Sequence, residues 1–313
     1  MRTFHKRIFL TGFGIAVLGL ALAWWIASPS ITGKSDRGAS PSVRSKGDGW
    51  SLDSFWPWAT PKSIKSIIAR SKEVHFQTRL AAVHALKNDL NQKELDAIYE
   101  FLQDNEIPEG ISRAHVRALK NDILTVLRHQ TAPPADLVPL MFRLHKDSDQ
   151  DIVVRDYALQ HLSAAYEKAP EEQKKQIQKA LWAALEENQS SIAGTSLLAL
   201  DRLSRTNADF EMQKFNQAAL KLANDPTSGE LARITALQVC ARNQLKEVLP
   251  LAFELAQNGP SAPLRISAIA ALGELGEARH KRLLQQLAQD QNQRLRPAAQ
   301  SALARLSKRI TAS

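Results

Sequence analysis

The sequence predicts an all-α fold: an α/α superhelix of about seven helical pairs, preceded by one N-terminal transmembrane or signal helix. Three observations predict it. From Trp50 onward apolar residues recur at spacings of three and four, as in Leu80-Val83-Leu86 and Ile266-Ile269-Leu272-Leu275, with no strand-like alternation of any length. Two unlike helix motifs alternate in phase along that stretch. Ahead of it, Ile8–Ala27 is a run of 20 residues without a charge.

The N-terminal element comes first. Residues 1–7 are a basic leader carrying Arg2, Lys6 and Arg7. Residues 8–28 come next as a transmembrane anchor or a signal peptide. A helix of that length spans roughly 30 Å, the hydrocarbon thickness of a bilayer. Trp24 and Trp25 stand near its far end, where aromatic side chains favour the headgroup layer. The run exceeds the usual apolar core of a cleaved signal, which favours the anchor, whereas Ala21-Leu22-Ala23 fits a cleavage site. Both readings export the rest of the chain. The expectation is a single-pass protein of the cytoplasmic membrane, N-terminus inside and body periplasmic or extracellular, or, alternatively, a secreted one after signal cleavage.

Residues 29–49 are rich in Ser, Gly, Pro and charge and read as a flexible tether. Residues 50–61 hold Trp50, Phe55, Trp56 and Trp58, a cluster that reads as a cap over the first repeat or as a contact with the membrane interface. Residues 62–308 are the repeat domain and 309–313 a short tail.

Inside the repeat domain, PLRISAIAALGELG (263–276) and RLRPAAQSALARLS (294–307) align at an offset of 31, pairing Arg265 with Arg296 and Leu272 with Leu303. Arg233, Arg155 and Arg79 open three further copies. A second motif precedes each: KLAND (221–225), ELAQN (254–258) and QLAQD (286–290), with RLHKD (143–147) and ALEEN (184–188) as weaker copies. Pro139 and Pro250 each lie eight residues before the closing Asp147 or Asn258. The pairs fall at about 62–88, 92–129, 136–166, 173–205, 210–243, 246–275 and 279–308. Lys120 stands in for the arginine in the second pair, and Ala193-Gly194-Thr195 occupies its place in the fourth.

A proline-bearing first helix, an Asp at the turn and an arginine opening an Ala/Leu-rich second helix together resemble HEAT repeats, over nearly everything after the tether. The resemblance implies an armadillo-like helical solenoid whose second helices line a concave face. One pair cannot bury its apolar face alone, so neighbouring pairs share a core. The turn aspartates Asp147, Asp225 and Asp290 and the recurring arginines then read as structural: each Asp caps the following helix and faces the arginine of a neighbouring repeat. Cys240, at the Leu272 position, reads as a core thiol.

Composition narrows function. One Cys rules out an intramolecular disulfide and any multi-thiolate metal site. Nucleophile elbow, zinc-protease, CxxC, P-loop and dinucleotide-binding motifs are all missing. Asp147–Asp151 begins like a calcium loop, but Ile152 and Ala158 stand where Gly and Glu are required, so it reads as a turn and helix cap. The eight His form no metal-ligand spacing, and His161 reads as a satisfied core or groove histidine. No catalytic, cofactor or metal residue is expected, and no enzyme.

The net charge of +9 is uneven: +5 over residues 1–49, −3 over 50–278 and +7 over 279–313. A near-neutral array argues against nucleic acid, which calls for a continuous basic run. With Arg265 as register, the non-core side of the second helices presents His84, Asn88, Tyr157, Gln160, Arg202, Thr235, Gln238, Arg242, Glu274, Ser301 and Arg305. This mixture suits a protein or peptide partner. Arg279, Lys281, Arg282, Arg294, Lys308 and Arg309 form a candidate anionic patch, read as a solubility cap or as a site for nucleic acid or another anionic polymer. The expected function is a non-catalytic, membrane-anchored scaffold binding a protein or peptide partner on its concave face.

Overall fold

The computed structural model describes residues 64–207 and 209–312. The expectations for the leader, the anchor or signal peptide, the tether and the aromatic cap segment lie outside the described residues. Among the described residues no helix is long and apolar enough to cross a membrane.

The described residues form fourteen α-helices and no strand. They are α1 (Ile64–Ile68), α2 (Phe76–His84), α3 (Gln92–Gln103), α4 (Arg113–Arg128), α5 (Leu137–Lys146), α6 (Ile152–Ala165) and α7 (Glu171–Ala184). Then come α8 (Ser191–Leu203), α9 (Met212–Asn224), α10 (Glu230–Arg242), α11 (Leu249–Asn258), α12 (Ala262–Leu275), α13 (Lys281–Leu287) and α14 (Leu295–Ala312). Each predicted pair corresponds to two helices, with α7 starting ahead of 173 and α14 running past 308.

The described residues divide into two compact units: 64–86 with Ile107–Asp122, and Lys87–Glu106 with 123–207 and 209–312. In the first, α1 packs on α2 around Arg79, which has no exposed surface. Its Nε donates to the Val74 carbonyl at 2.9 Å, Nη1 to Ile67 at 3.1 Å and to Ala69, and Nη2 to Ser71 at 3.2 Å. One guanidinium thus satisfies carbonyls that a helix end and its loop leave without intrahelical partners. Phe76 stacks on His115 with ring centroids 4.1 Å apart. Gly110 has φ +77°, and a Cβ there would sit 3.0 Å from the Lys72 backbone. Lys120 is buried.

The second unit shows the repeat logic most clearly. Here the arginine that opens α6, α10 or α12 turns back onto its own first helix. Arg155 Nε donates to the His145 carbonyl at 2.8 Å, Arg233 Nε to Ala223 at 3.2 Å and Arg265 Nε to Ala256 at 3.1 Å. Each acceptor lies two residues before the closing Asp or Asn, in the last turn of α5, α9 or α11. A cation there satisfies an orphan carbonyl and complements the negative end of the helix dipole. The expected contact with a neighbouring repeat also occurs: Arg155 Nη2 meets Glu187 at 2.9 Å, and Arg265 Nη2 lies 3.9 Å from Asp290.

The turn aspartates differ from expectation in one respect. They do not cap the next helix; they close their own turn. Asp147 accepts from Asp149 N at 3.0 Å, Asp225 from Thr227 N at 2.9 Å and Asp290 from Asn292 N at 2.8 Å. A carboxylate bonding the amide two residues on is a stable local turn. Capping falls to residues nearer the next helix: Asp151 for α6, Ser190 for α8 and Ser261 for α12. The calcium-like segment is accordingly a turn closed by Asp147 and a cap made by Asp151. Pro250 sits in the first turn of α11, where its missing N–H costs nothing.

The second helices α6, α8, α10, α12 and α14 pack side by side in sequence, and each also packs on its own first helix. Leu162, Leu200, Cys240, Leu272 and Leu306 are fully buried between them. Burial and the Glu247 carboxylate push the Cys240 thiol up to about 12. Small residues set the spacing. A Cβ on Gly194 would come within 3.1 Å of Thr235 Oγ1, and one on Gly273 within 2.8 Å of Ala302 Cα. The fourth pair therefore has glycine beside the missing arginine because α8 and α10 touch there.

Candidate functional site

The candidate residues on the second helices sort into three groups by what they touch. The first is committed to neighbouring helices of the second unit. Arg202 of α8 donates to the Ser163 carbonyl of α6. Arg242 of α10 reaches Asp201 of α8, Nη1 to Oδ2 at 2.7 Å, and Asn243 Nδ2 donates to the other oxygen at 2.7 Å. Arg305 of α14 reaches Glu274 of α12 at 2.6 Å. Each of α8, α10 and α14 thus holds the preceding second helix through a polar tie near that earlier helix's C-terminal end. The hub is Asp201, with 2% of its side chain exposed and a third partner in Arg205 at 3.2 Å. Nothing in the sequence pattern singles it out.

The second group lies one turn earlier. Gln160 of α6 and Gln238 of α10 are half-buried, as is Ser301 of α14, and Leu198 of α8 is 38% exposed among them. Among the described residues the side chains of Gln160, Gln238 and Ser301 make no hydrogen bond. On α12 the row is interrupted by Ala270, which is buried. Thr235 and Tyr157 are half-buried beside it. An unpaired carboxamide offers one acceptor and two donors, the set that pairs with a peptide backbone.

His84 and Asn88 separate from this row. His84 belongs to the first unit, where its Nε2 lies 3.2 Å from Asp122 Oδ2. Asn88 is a correction to the register: α2 ends at His84, so Asn88 sits in the bend before α3 and not on a helix face.

The anionic patch is partly assembled. Arg309 donates to the Gly276 carbonyl, bringing the C-terminal end of α14 against the segment that starts α13. Lys308 and Arg309 therefore share one end of the last pair with Arg279, Lys281 and Arg282, all exposed. Arg279 is paired with Glu277 at 3.1 Å. Arg294 precedes α14 at its other end, about 22 Å away at 1.5 Å per residue.

Several polar side chains inside the second unit are buried or bonded within it. His161 is buried and accepts from Arg128 Nε at 3.4 Å. Tyr99 donates to Asp136 at 2.7 Å, and burial raises its phenol well above the usual range. Burial holds His145 and His280 below the ordinary histidine value. Among the described residues no group of His, Cys, Asp or Glu could hold a metal ion.

Comparison with known proteins gives a family-model match over part of the chain. Residues 216–304, which span α10 to α13 and most of α9 and α14, match the model of HEAT repeats. No curated protein matches the sequence. Among solved structures the chain is similar to human deoxyhypusine hydroxylase in complex with glycerol, at 16% identity and a TM-score of 0.32, over 78% of this chain and 96% of that one. So distant a likeness carries no argument about activity.

Proposed function

We propose that this chain, whose residues 216–304 match the model of HEAT repeats, is a non-catalytic scaffold that binds a protein or peptide partner on the concave face that its second helices are expected to line. One observation carries the reading: the amides of Gln160 and Gln238, with Ser301 and the exposed Leu198, stand in one row without hydrogen-bond partners among the described residues. Packed helices lie about 8–10 Å apart, so Gln160 and Gln238, two helices apart, are separated by about 16–20 Å. An extended peptide of about five or six residues covers that distance. Leu198 between them supplies the apolar contact. The inter-helix ties hold the row rigid, which lowers the entropy lost on binding.

The charge-free run at residues 8–28 supports a place for this scaffold at the cytoplasmic membrane with the repeats exported. A reporter fused to the C-terminus tests it: alkaline phosphatase is expected to be active there, and an active cytoplasmic reporter in its place would overturn the export. Photo-crosslinking tests the surface. A benzophenone side chain at Gln160 or Gln238 is expected to give the same discrete adduct, and one at the exposed first-helix position Glu254 none. Equal adducts at all three positions would sink the assignment.

The end of the last pair favours a second reading, an anionic polymer. There Arg279, Lys281, Arg282, Lys308 and Arg309 converge from two segments. Affinity for heparin that falls steeply with salt, and falls again in the Lys281→Glu/Lys308→Glu protein, is its signature.

A further inference from the structure

On the other side of the second unit the first helices α7 and α9 leave a groove of about 460 Å³ between them. Trp182, Leu185, Ala218 and Leu222 line it, and they fall on one face of each helix by their spacing of three and four. Lys214, Gln217 and Lys221 of α9 stand along one wall, and Glu186 stands on the other. One end is closed by Asn188, Asp225 and Ser228.

The groove's charge is simpler than its composition. Asp225 is consumed within the wall: its carboxylate accepts from Asn188 at 2.8 Å, Ser228 Oγ at 2.9 Å, and Thr227 N and Oγ1 at 2.9 and 2.7 Å. Those four bonds hold it down to about 2, so it has little left to offer a ligand. Lys221 is exposed and has no ion pair among the described residues. Lys214 makes a solvent-exposed pair with Glu211 at 3.4 Å, a contact of small worth, and its ammonium lies 4.5 Å over the Trp182 ring. Among the described residues that line the groove, Glu186 is the acid facing these two cations from the opposite wall.

Trp182 is braced from behind. It stacks on Phe210 at 6.1 Å, and Phe210 meets Phe215 edge-on at 5.7 Å. Its Nε1 is buried and has no acceptor among the described residues. An aromatic floor and two lysines describe one kind of occupant.

We propose that the α7–α9 groove binds a short acidic peptide segment in which apolar and acidic residues alternate, an apolar side chain resting on Trp182 between Leu185 and Leu222 and carboxylates pairing with Lys214 and Lys221. The two lysines are seven residues apart, about 10.5 Å along the helix. An extended chain crosses that in about three residues. A nucleic acid strand is the poorer fit, because two lysines opposed by Glu186 make no track for a polyphosphate backbone. The site is on the first helices and stands or falls independently of the second-helix row.

The test is fluorescence anisotropy on the full chain in detergent, with a labelled, end-capped pentapeptide of sequence Glu-Leu-Glu-Leu-Glu as probe. Binding is expected, weakened about tenfold or more when the probe's three Glu become Gln, and equally by Lys214→Gln/Lys221→Gln. Glu186→Gln is expected to tighten binding two- to threefold, which loss of structure would not do. Ala218→Leu, filling the floor, is expected to abolish binding; if that variant melts early, the exposed-site substitutions decide alone. Equal affinity for the acidic and amide probes, indifference to the lysine pair, or tighter binding of an oligothymidylate each overturns the proposal.

Discussion

Replacing Asp201 by Ala tests whether the polar ties hold neighbouring second helices together. The carboxylate is 2% exposed, so it was desolvated on folding and depends on its partners. Its removal deletes the bonds from Arg242 at 2.7 Å, Asn243 at 2.7 Å and Arg205 at 3.2 Å. A hydrogen bond to a charged group contributes about 1.5–3 kcal/mol when well shielded. Two partners here are poorly shielded, with 43% of Arg242 and 55% of Arg205 exposed, so each tie is discounted toward the value of a surface pair. The carboxylate's own desolvation cost also disappears with it. The net loss is about 2 kcal/mol. For a unit of this size that is a fall in Tm of about 4–8 °C. Circular dichroism reads the melting, and hydrogen exchange locates it: protection should fall in α8 and α10 and hold in α14, since repeat units couple mainly to neighbours. A double-mutant cycle with Arg242→Ala should return a coupling of about 0.5–1 kcal/mol. Unchanged melting, or a coupling of zero, would refute the claim that these ties stabilise the array.

Three further outcomes are expected. Arg233→Ala removes the donor that satisfies the Ala223 carbonyl and opens space in a buried site; stability should drop by about 2–4 kcal/mol in thermal melting, with the Gln160–Gln238 row still accessible to crosslinking. Gly273→Val pushes a side chain into Ala302 at under 3 Å and should cost about 1–3 kcal/mol, detected as a lower urea midpoint. Burial lowers the folded-state pKa of His145, so between that value and the unfolded one of about 6.5 the unfolded chain binds the extra proton. Stability is then complete above the unfolded pKa and declines as pH falls toward the folded one. His145→Gln should flatten the melting curve between pH 7 and 5, and an unaltered slope would assign the acid sensitivity elsewhere, His280 first.

What the sequence discloses and what it hides are separated by one distinction. Intra-pair chemistry repeats because each pair solves the same problem: a first helix whose last carbonyls need a donor, and a turn that must close tightly. The arginine of α6, α10 and α12 and the Asp of each turn therefore recur at fixed spacing and are legible. Contacts between pairs do not repeat in that way. Arg202, Arg242 and Arg305 share a register, yet their acceptors are a backbone carbonyl, Asp201 and Glu274 on the preceding helix. A backbone acceptor leaves no trace in sequence, and Asp201 occupies a position filled by Ser163, Ala241 and Gly273 in other pairs. The α7–α9 groove is hidden for the same reason. Trp182 and Lys214 each look like ordinary helix residues, and only the gap between two successive first helices brings the ring and the ammonium within 4.5 Å. In such an array the sequence periodicity reports the scaffold, whereas specificity resides in departures from it. Trp182, Asp201 and the Gln160–Gln238 row are such departures, and substitutions there should alter recognition or coupling while leaving the repeating arginine clamps intact.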